Sequence, residues 1–383
     1  MSVTAAKGFT AAGIAAGIKE SGNADLALVV NNGPRLAAAG VFTSNRVKAA
    51  PVLWSEQVLK GGIVSAVVLN SGGANACTGP QGFQDTHATA EKVADATDLN
   101  AGEVAVASTG LIGVRLPMDK LLPGVEKAAS ELSAHGGEKA AIAIKTTDTV
   151  HKTSVVECDG WTVGGMAKGA GMLAPGLATM LVVLTTDADM DAPALDKALR
   201  AATRTTFDRI DSDGCMSTND TVLLLASGAS EVIPEHGEFA AAVERVCADL
   251  ARQLIGDAEG ASKDIRIEVI NAASEDDAVE VGRSIARNNL LKCAIHGEDP
   301  NWGRVLSAIG TTAAAFEPDA LNVAINGVWV CKNGSVGEDR ELVDMRYREV
   351  RITADLAAGG DSAVIWANDL TADYVHENSA YSS

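Results

Sequence analysis

Residues 168–181, KGAGMLAPGLATML, set a threonine between a glycine-bearing loop and a short apolar run. A nucleophile can be made from that arrangement. A threonine hydroxyl reacts poorly until a base takes its proton, and one base that serves is the threonine's own α-amino group. At Thr179 that amine exists only after the Ala178–Thr179 peptide has been cut. A free α-amine titrates near ~8, against ~10.4 for a lysine, so it accepts a proton around neutral pH. The hydroxyl that later does catalysis can first attack the Ala178 carbonyl, which the small Ala178 side chain leaves approachable. Residue type alone also allows an ordinary core strand that begins with threonine. A second stretch, Ser108-Thr109-Gly110-Leu111-Ile112-Gly113, follows an apolar run and has glycines where backbone N–H groups can turn outward, as an oxyanion hole requires.

Other combinations fall short of a site. The glycines before Lys168 in Val163-Gly-Gly-Met-Ala-Lys168 fit neither Walker A nor Rossmann spacing. Asp211-Ser-Asp213-Gly214 begins like a calcium loop, but Val222 stands where a bidentate glutamate is needed. His296, Glu298 and Asp299 in HGEDPNWGR are kept off a single helical face by Pro300, so no metal site is expected. Glu259, in Asp257-Ala-Glu259-Gly260, follows a long helical pattern and faces the negative end of its dipole, which marks it out from a surface glutamate.

The elements that must hold these residues read as mixed α/β. Leu26–Val30, Gly40–Thr43, Ile63–Leu69, Val104–Ala107, Met180–Leu184, Val222–Ala226 and Ile265–Ile270 have the composition of short strands. Ser154–Glu157 and Trp161–Val163 form a hairpin around Asp159-Gly160, and Lys168 then opens a flexible loop. Gln84–Ala96, Met118–Leu132, Pro193–Thr203, Phe239–Leu254, Asp276–Asn289 and Trp302–Ile309 carry helical periodicity, and Ala140–Lys145 reads as a helix end. From Leu321 onward strands return, and the tail YVHENSAYSS, taken alone, reads as frayed.

With 383 residues the chain is long enough for two domains or two entwined halves, and no Pro- or Ser-rich linker separates them. Lysine and arginine total 31 against 50 acidic residues, a net charge of −19, which argues against a nucleic-acid partner or an anionic membrane surface. Aromatic residues make up only 4%, too few for base-stacking platforms, so a small-molecule enzyme fits better. The six cysteines are scattered without C-x-x-C pairs, as in a reduced cytosolic protein, and the first residues lack an export signal. The expected location is the cytoplasm.

Across essentially its whole length the chain resembles the ornithine acetyltransferase family of arginine biosynthesis, whose members are often bifunctional glutamate N-acetyltransferases. The shared stretches are NSGGANACTG (70–79), STGLIG (108–113), TTDT (146–149), GGMAKGAGML..GLATML (164–181), STNDT (217–221), DAEG (257–260), GEDPNWGR (297–304) and ENSAYSS (377–383). Gly73 departs from the asparagine common in the family, which is expected to loosen that turn. The resemblance implies a self-cleaving, N-terminal-nucleophile-like fold of sheets packed with helices. An α chain of residues 1–178 and a β chain of residues 179–383 would stay associated after cleavage between Ala178 and Thr179. It makes Thr179 the nucleophile and Thr109 and Gly110 the oxyanion donors. Substrate contacts fall on Thr146, Lys168, Thr179, Glu259, Asn378 and Ser383, so the tail lines the pocket. The implied reaction moves the acetyl group of N-acetylornithine to glutamate through an ester on Thr179, with no cofactor or metal and with αβ units assembling into oligomers. The family contains members that accept acetyl-CoA as a co-substrate and members that do not, and the sequence leaves both open. The alternatives are an N-terminal-nucleophile amidase or aminopeptidase, in which water takes the acyl group, and an uncut amino-acid-binding protein.

Overall fold

Runs of alanine and β-branched residues build three sheets in the computed structural model, which describes residues 2–174 and 180–380. The first contains β1 (Phe9–Ile14), β2 (Leu26–Asn31), β4 (Ala66–Ser71) and β5 (Val104–Thr109) in that spatial order. The second has the order β3 (Ala37–Phe42), β9 (Thr221–Ala226), β8 (Leu181–Thr186), β7 (Thr162–Lys168), β6 (Lys152–Glu157). These two sheets pack face to face. Val29, Leu69 and Ala107 from one share a core with Met166, Leu181, Val183 and Leu225 from the other.

Helices cover both outer faces. α2 (Gly79–Thr97) and α3 (Met118–Ser130) close the first sheet over Leu28, Val68 and Val106. α5 (Ala192–Thr205) and α6 (His236–Gly256) close the second over Val163, Val182 and Leu224. α1 (Ala50–Val58) packs beside β5, and α4 (Gly137–Ala143) fills the sandwich next to β1 and β2. The result is a helix–sheet–sheet–helix stack, in which β8 is buried on both faces: Leu181 and Val183 point into the sandwich, Val182 and Leu184 toward the helices. A one-residue slip of this strand would exchange the two sets, so its register is strongly specified.

The segments before and after position 179 interleave in the second sheet. β3, from the first part of the chain, pairs with β9, and β7 pairs with β8 so that Lys168 lies opposite Leu181. A third sheet, ordered β13 (Ser335–Val336), β12 (Val328–Lys332), β11 (Asn322–Ile325), β14 (Glu349–Asp355), β10 (Asp264–Ala272), β15 (Asp361–Asn368), has its own core with α7 (Glu275–Ala286) and α9 (Trp302–Ile309). α8 (Asn289–His296) precedes α9, and α10 (Ala372–Ala380) returns to the sandwich.

Several boundaries differ from the sequence reading. Lys168 does not open a loop; it is the last residue of β7, and the glycines ahead of it are strand residues with close neighbours. A Cβ on Gly164 would lie 2.4 Å from the Ser2 carbonyl oxygen, and one on Gly165 2.7 Å from Leu184. The helix expected over 276–289 breaks after Ala286, and Asn288 caps a new one by accepting the Leu291 N–H at 3.0 Å. The tail is not frayed as far as Ala380. The Thr371 hydroxyl bonds the Gly260 carbonyl at 2.6 Å and accepts the Tyr374 N–H at 2.9 Å, which starts α10. Gly260, at φ 60, permits that approach, because a Cβ there would lie 2.2 Å from Tyr374 N.

Candidate active site

The strand ends converge on a small cavity. Lys168 runs into the interior from the end of β7, 2% exposed, and its ammonium donates to the Thr109 hydroxyl 3.3 Å away at the end of β5. Burial lowers the pKa of Lys168, with Asp148 pulling the other way. Gly73 donates its N–H to the Thr109 carbonyl at 3.0 Å, and the planar trans peptide therefore turns the Gly110 N–H to the opposite side. Gly110 has φ 129, and a Cβ there would lie 2.5 Å from Gly73 N, so the position demands glycine.

The turn before it is anchored, contrary to the loosening expected from Gly73. Asn70 donates to the Gly73 carbonyl at 2.9 Å and accepts the Ser108 hydroxyl at 2.6 Å, and a Cβ on Gly73 would lie 2.7 Å from Leu116. Asn219 secures the other side by donating to the Ala74 and Ser108 carbonyls at 2.6 and 2.9 Å.

Glu259 is set by the end of α6. Its N–H donates to the Ala170 carbonyl at 2.9 Å, while its carboxylate accepts the Thr147 hydroxyl at 2.7 Å and the Asn378 amide at 3.0 Å. Gly171 leaves room for that carboxylate, since a Cβ there would stand 2.6 Å from Glu259 Oε2.

Beneath these residues a buried ion network fixes the walls. Lys152 Nζ donates to Asp148 Oδ1 and to Asp257 Oδ2, each at 2.6 Å. Asp148 also accepts the N–H groups of Gly169 at 2.7 Å and Thr146 at 2.9 Å, and Asp257 accepts that of Thr149 at 3.1 Å. Burial works against ionisation of Asp148, but Lys168 and Lys152 outweigh it and hold the carboxyl well below its usual range. The network ties the 146–149 turn, the end of β7 and the end of α6 into one frame.

Thr109, Gly110, Thr146, Lys168, Glu259 and Asn378 all line a cavity of about 180 Å³, together with Thr147, Met172 and Ser217 to Asn219. A larger cleft of about 650 Å³ shares Thr146, Thr147, Glu259 and Asn378 with it and adds Asp257, Asp373, Glu377, His376 and Arg348. Every expected site residue that is described thus borders one space. Ala178, Thr179 and Ser383 lie outside the described residues. Thr147, Asn219 and the Asp148–Lys152–Asp257 network were not singled out from sequence, although TTDT and STNDT were among the shared stretches. The HGEDPNWGR residues are otherwise engaged: His296 with Asp369 at 3.0 Å, Glu298 with Lys263 at 2.8 Å and Asp299 with Arg340 at 2.7 Å. Asp211 pairs with Arg287 at 2.7 Å, in keeping with a structural turn.

A small cavity at the strand ends of such a sandwich, with a buried ammonium and a held carboxylate on its walls, suits an enzyme for small polar molecules. The ArgJ family profile matches residues 10–383, and the chain belongs to that family. Two similar proteins, each named arginine biosynthesis bifunctional protein ArgJ, come from Streptomyces avermitilis and Streptomyces coelicolor. They are 87% and 84% identical over 383 residues, with all of both chains covered. Among solved structures, the ornithine acetyltransferase of Mycobacterium tuberculosis complexed with ornithine is 62% identical and covers 47% of this chain and 96% of its own, with a TM-score of 0.45.

Proposed function

We propose that this chain moves the acetyl group of N-acetylornithine to glutamate through an ester on Thr179, after cutting itself between Ala178 and Thr179. One observation carries the reading: Thr109, Gly110, Thr146, Lys168, Glu259 and Asn378, far apart in sequence, line a single cavity. In this mechanism the Thr179 hydroxyl attacks the acetyl carbonyl and the α-amine of Thr179 takes its proton. The Thr109 hydroxyl and the Gly110 N–H hold the oxyanion, each such donor being worth about 3 kcal/mol. Ornithine leaves, and the amine of glutamate attacks the ester to give N-acetylglutamate. Amide is exchanged for amide, so the cycle calls for neither ATP nor a bound cofactor or metal. Acetyl-CoA fits the same ester chemistry as an additional donor.

Lys168 suits the carboxylate of an amino-acid substrate and Glu259 its amine; a Lys168→Ala enzyme with the wild-type KM for both substrates would refute that assignment. The adjoining cleft, with Asp257, Asp373 and Glu377 on its walls, suits the cationic ornithine side chain. The α and β chains remain together because β7 and β8 share a ladder, and pairing of αβ units follows the family resemblance. No helix among the described residues is long and apolar enough to cross a membrane. The cytoplasm is the proposed location on the strength of six scattered cysteines without C-x-x-C pairs.

Product analysis with N-acetylornithine, in the presence and absence of glutamate, tests the reaction. Transfer yields ornithine and N-acetylglutamate in equal amounts and little acetate. Release of acetate at the same rate with or without glutamate would instead make the protein an amidase.

A further inference from the structure

Self-cleavage raises a difficulty that the mature reaction does not. While the Ala178–Thr179 bond is whole, the nitrogen of Thr179 is an amide and cannot act as a base, so another group must handle the proton. The backbone N–H of Met180 donates to Asp220 Oδ1 at 3.0 Å. Met180 N is the nitrogen of the peptide that joins Thr179 to Met180, so Asp220 holds the residue next in the chain after the proposed nucleophile. Asp220 has 0% exposure, and its Oδ2 is enclosed without a hydrogen-bond partner among the described residues. An orphaned buried carboxyl oxygen calls for an explanation, and a role in chemistry is one.

The surroundings favour the protonated carboxyl. The Thr43 hydroxyl is committed to the Ser217 carbonyl at 2.7 Å, and the Ser217 hydroxyl accepts the Asn219 N–H at 3.1 Å. Lys168 faces Asp220 from β7, and Cys215 faces it from the preceding loop. Burial pushes Asp220 well above the ordinary carboxylate range; the Met180 N–H, Lys168, Ser217 and Thr43 oppose this without cancelling it. A carboxyl whose protonated form is favoured therefore holds the residue that follows the proposed cleavage point in the chain.

We propose that Asp220 both positions the 179–180 segment and carries the proton of maturation. Its Oδ2 gives a proton to the Thr179 nitrogen as the Ala178–Thr179 C–N bond breaks, and regains the proton released by the Thr179 hydroxyl as the Oγ–C bond forms. The net change is one proton moved from oxygen to nitrogen and an amide turned into an ester. Water then cleaves the ester, adding its hydroxyl to the Ala178 carbonyl carbon and returning a proton to Thr179 Oγ. The freed α-amine takes over as base. The inference rests on the reading of Thr179 as a nucleophile released by self-cleavage.

The test follows cleavage of the full chain after cell-free synthesis, with translation stopped and the chase run over a range of pH. Wild type, Thr179→Ala, Asp220→Asn and Asp220→Glu are compared, with melting curves for each. Wild type is expected to split, more slowly as pH rises through the titration of Asp220. Asp220→Asn should split about 10²- to 10⁴-fold more slowly, the range of general acid–base catalysis, with little remaining dependence on pH. Cleavage of Asp220→Asn at the wild-type rate, or a slower rate that keeps the wild-type pH profile, would overturn the proposal. If Asp220→Asn melts far below wild type, Asp220→Glu decides: retaining the acid, it must cleave faster than the asparagine variant, and failure to do so overturns the proposal as well. An uncut wild type, or a cut Thr179→Ala, would instead remove the underlying nucleophile reading and the proposal with it.

Discussion

Replacing Gly171 by alanine is a small change aimed at one carboxylate. The added Cβ would stand 2.6 Å from Glu259 Oε2 and 2.8 Å from both Cδ and Oε1. To reach ordinary contact the carboxylate must retreat by about 0.8 Å. It is the far end of a flexible side chain, so it can move without unfolding anything, and the melting temperature should stay within a few degrees of wild type. What it loses is alignment. The carboxylate is held by Thr147 at 2.7 Å and Asn378 at 3.0 Å, and a shift of that size stretches whatever bond it makes to a substrate ammonium beyond hydrogen-bonding range. A hydrogen bond to a charged group is worth about 1.5–3 kcal/mol, which corresponds to about a 10- to 150-fold loss in kcat/KM. Steady-state kinetics with N-acetylornithine and glutamate varied in turn, beside thermal melts, provide the assay. Wild-type kcat/KM for both substrates would refute the role given to Glu259, and a loss matched by a collapse in melting temperature would reassign the effect to folding.

Lys152→Met takes from the buried Asp148 and the half-buried Asp257 the ammonium they share, leaving Asp148 with Lys168 alone, and should cost about 3 kcal/mol in denaturant unfolding, the low end for a broken buried pair. Asp148 titrates below its unfolded value, so its contribution to wild-type stability is present above about pH 4 and lost as pH falls below that; the slope should be shallower in Lys152→Met. Asn219→Ala frees the carbonyls of Ala74 and Ser108, loosens the donors at 109 and 110, and should lower kcat about 10- to 100-fold with a smaller change in KM. Asn378→Ala removes one donor from Glu259 at the exposed end of the cavity, and a rise in KM of about fivefold is expected, read from initial rates.

Much of this organisation was legible from the chain alone, for physical reasons that differ by element. β2, β5 and β9 are continuous apolar runs bounded by turn residues, and their centres were found with ends displaced by one or two positions. β1 escaped notice because FTAAGI is too rich in alanine and glycine to show a strand pattern. β7 was cut short at Val163 because paired glycines read as loop, whereas here they admit a neighbouring backbone and side chains. α10 depends on a tertiary contact, Thr371 to Gly260, which no local pattern encodes. The cavity residues came from motif resemblance. The frame behind them did not, since Lys152 meets Asp257 only once β6 and the end of α6 are side by side. Asp220 was visible as a letter in STNDT, but its burial beside Met180 emerges only from the sheet.

Intact-mass spectrometry of the purified wild type beside Thr179→Ala tests the central claim most directly. The wild type should appear as two chains, the second beginning Thr-Met-Leu, and Thr179→Ala as one unbroken chain without acetyl transfer. A single continuous wild-type chain that transfers acetyl groups at full rate would contradict the account.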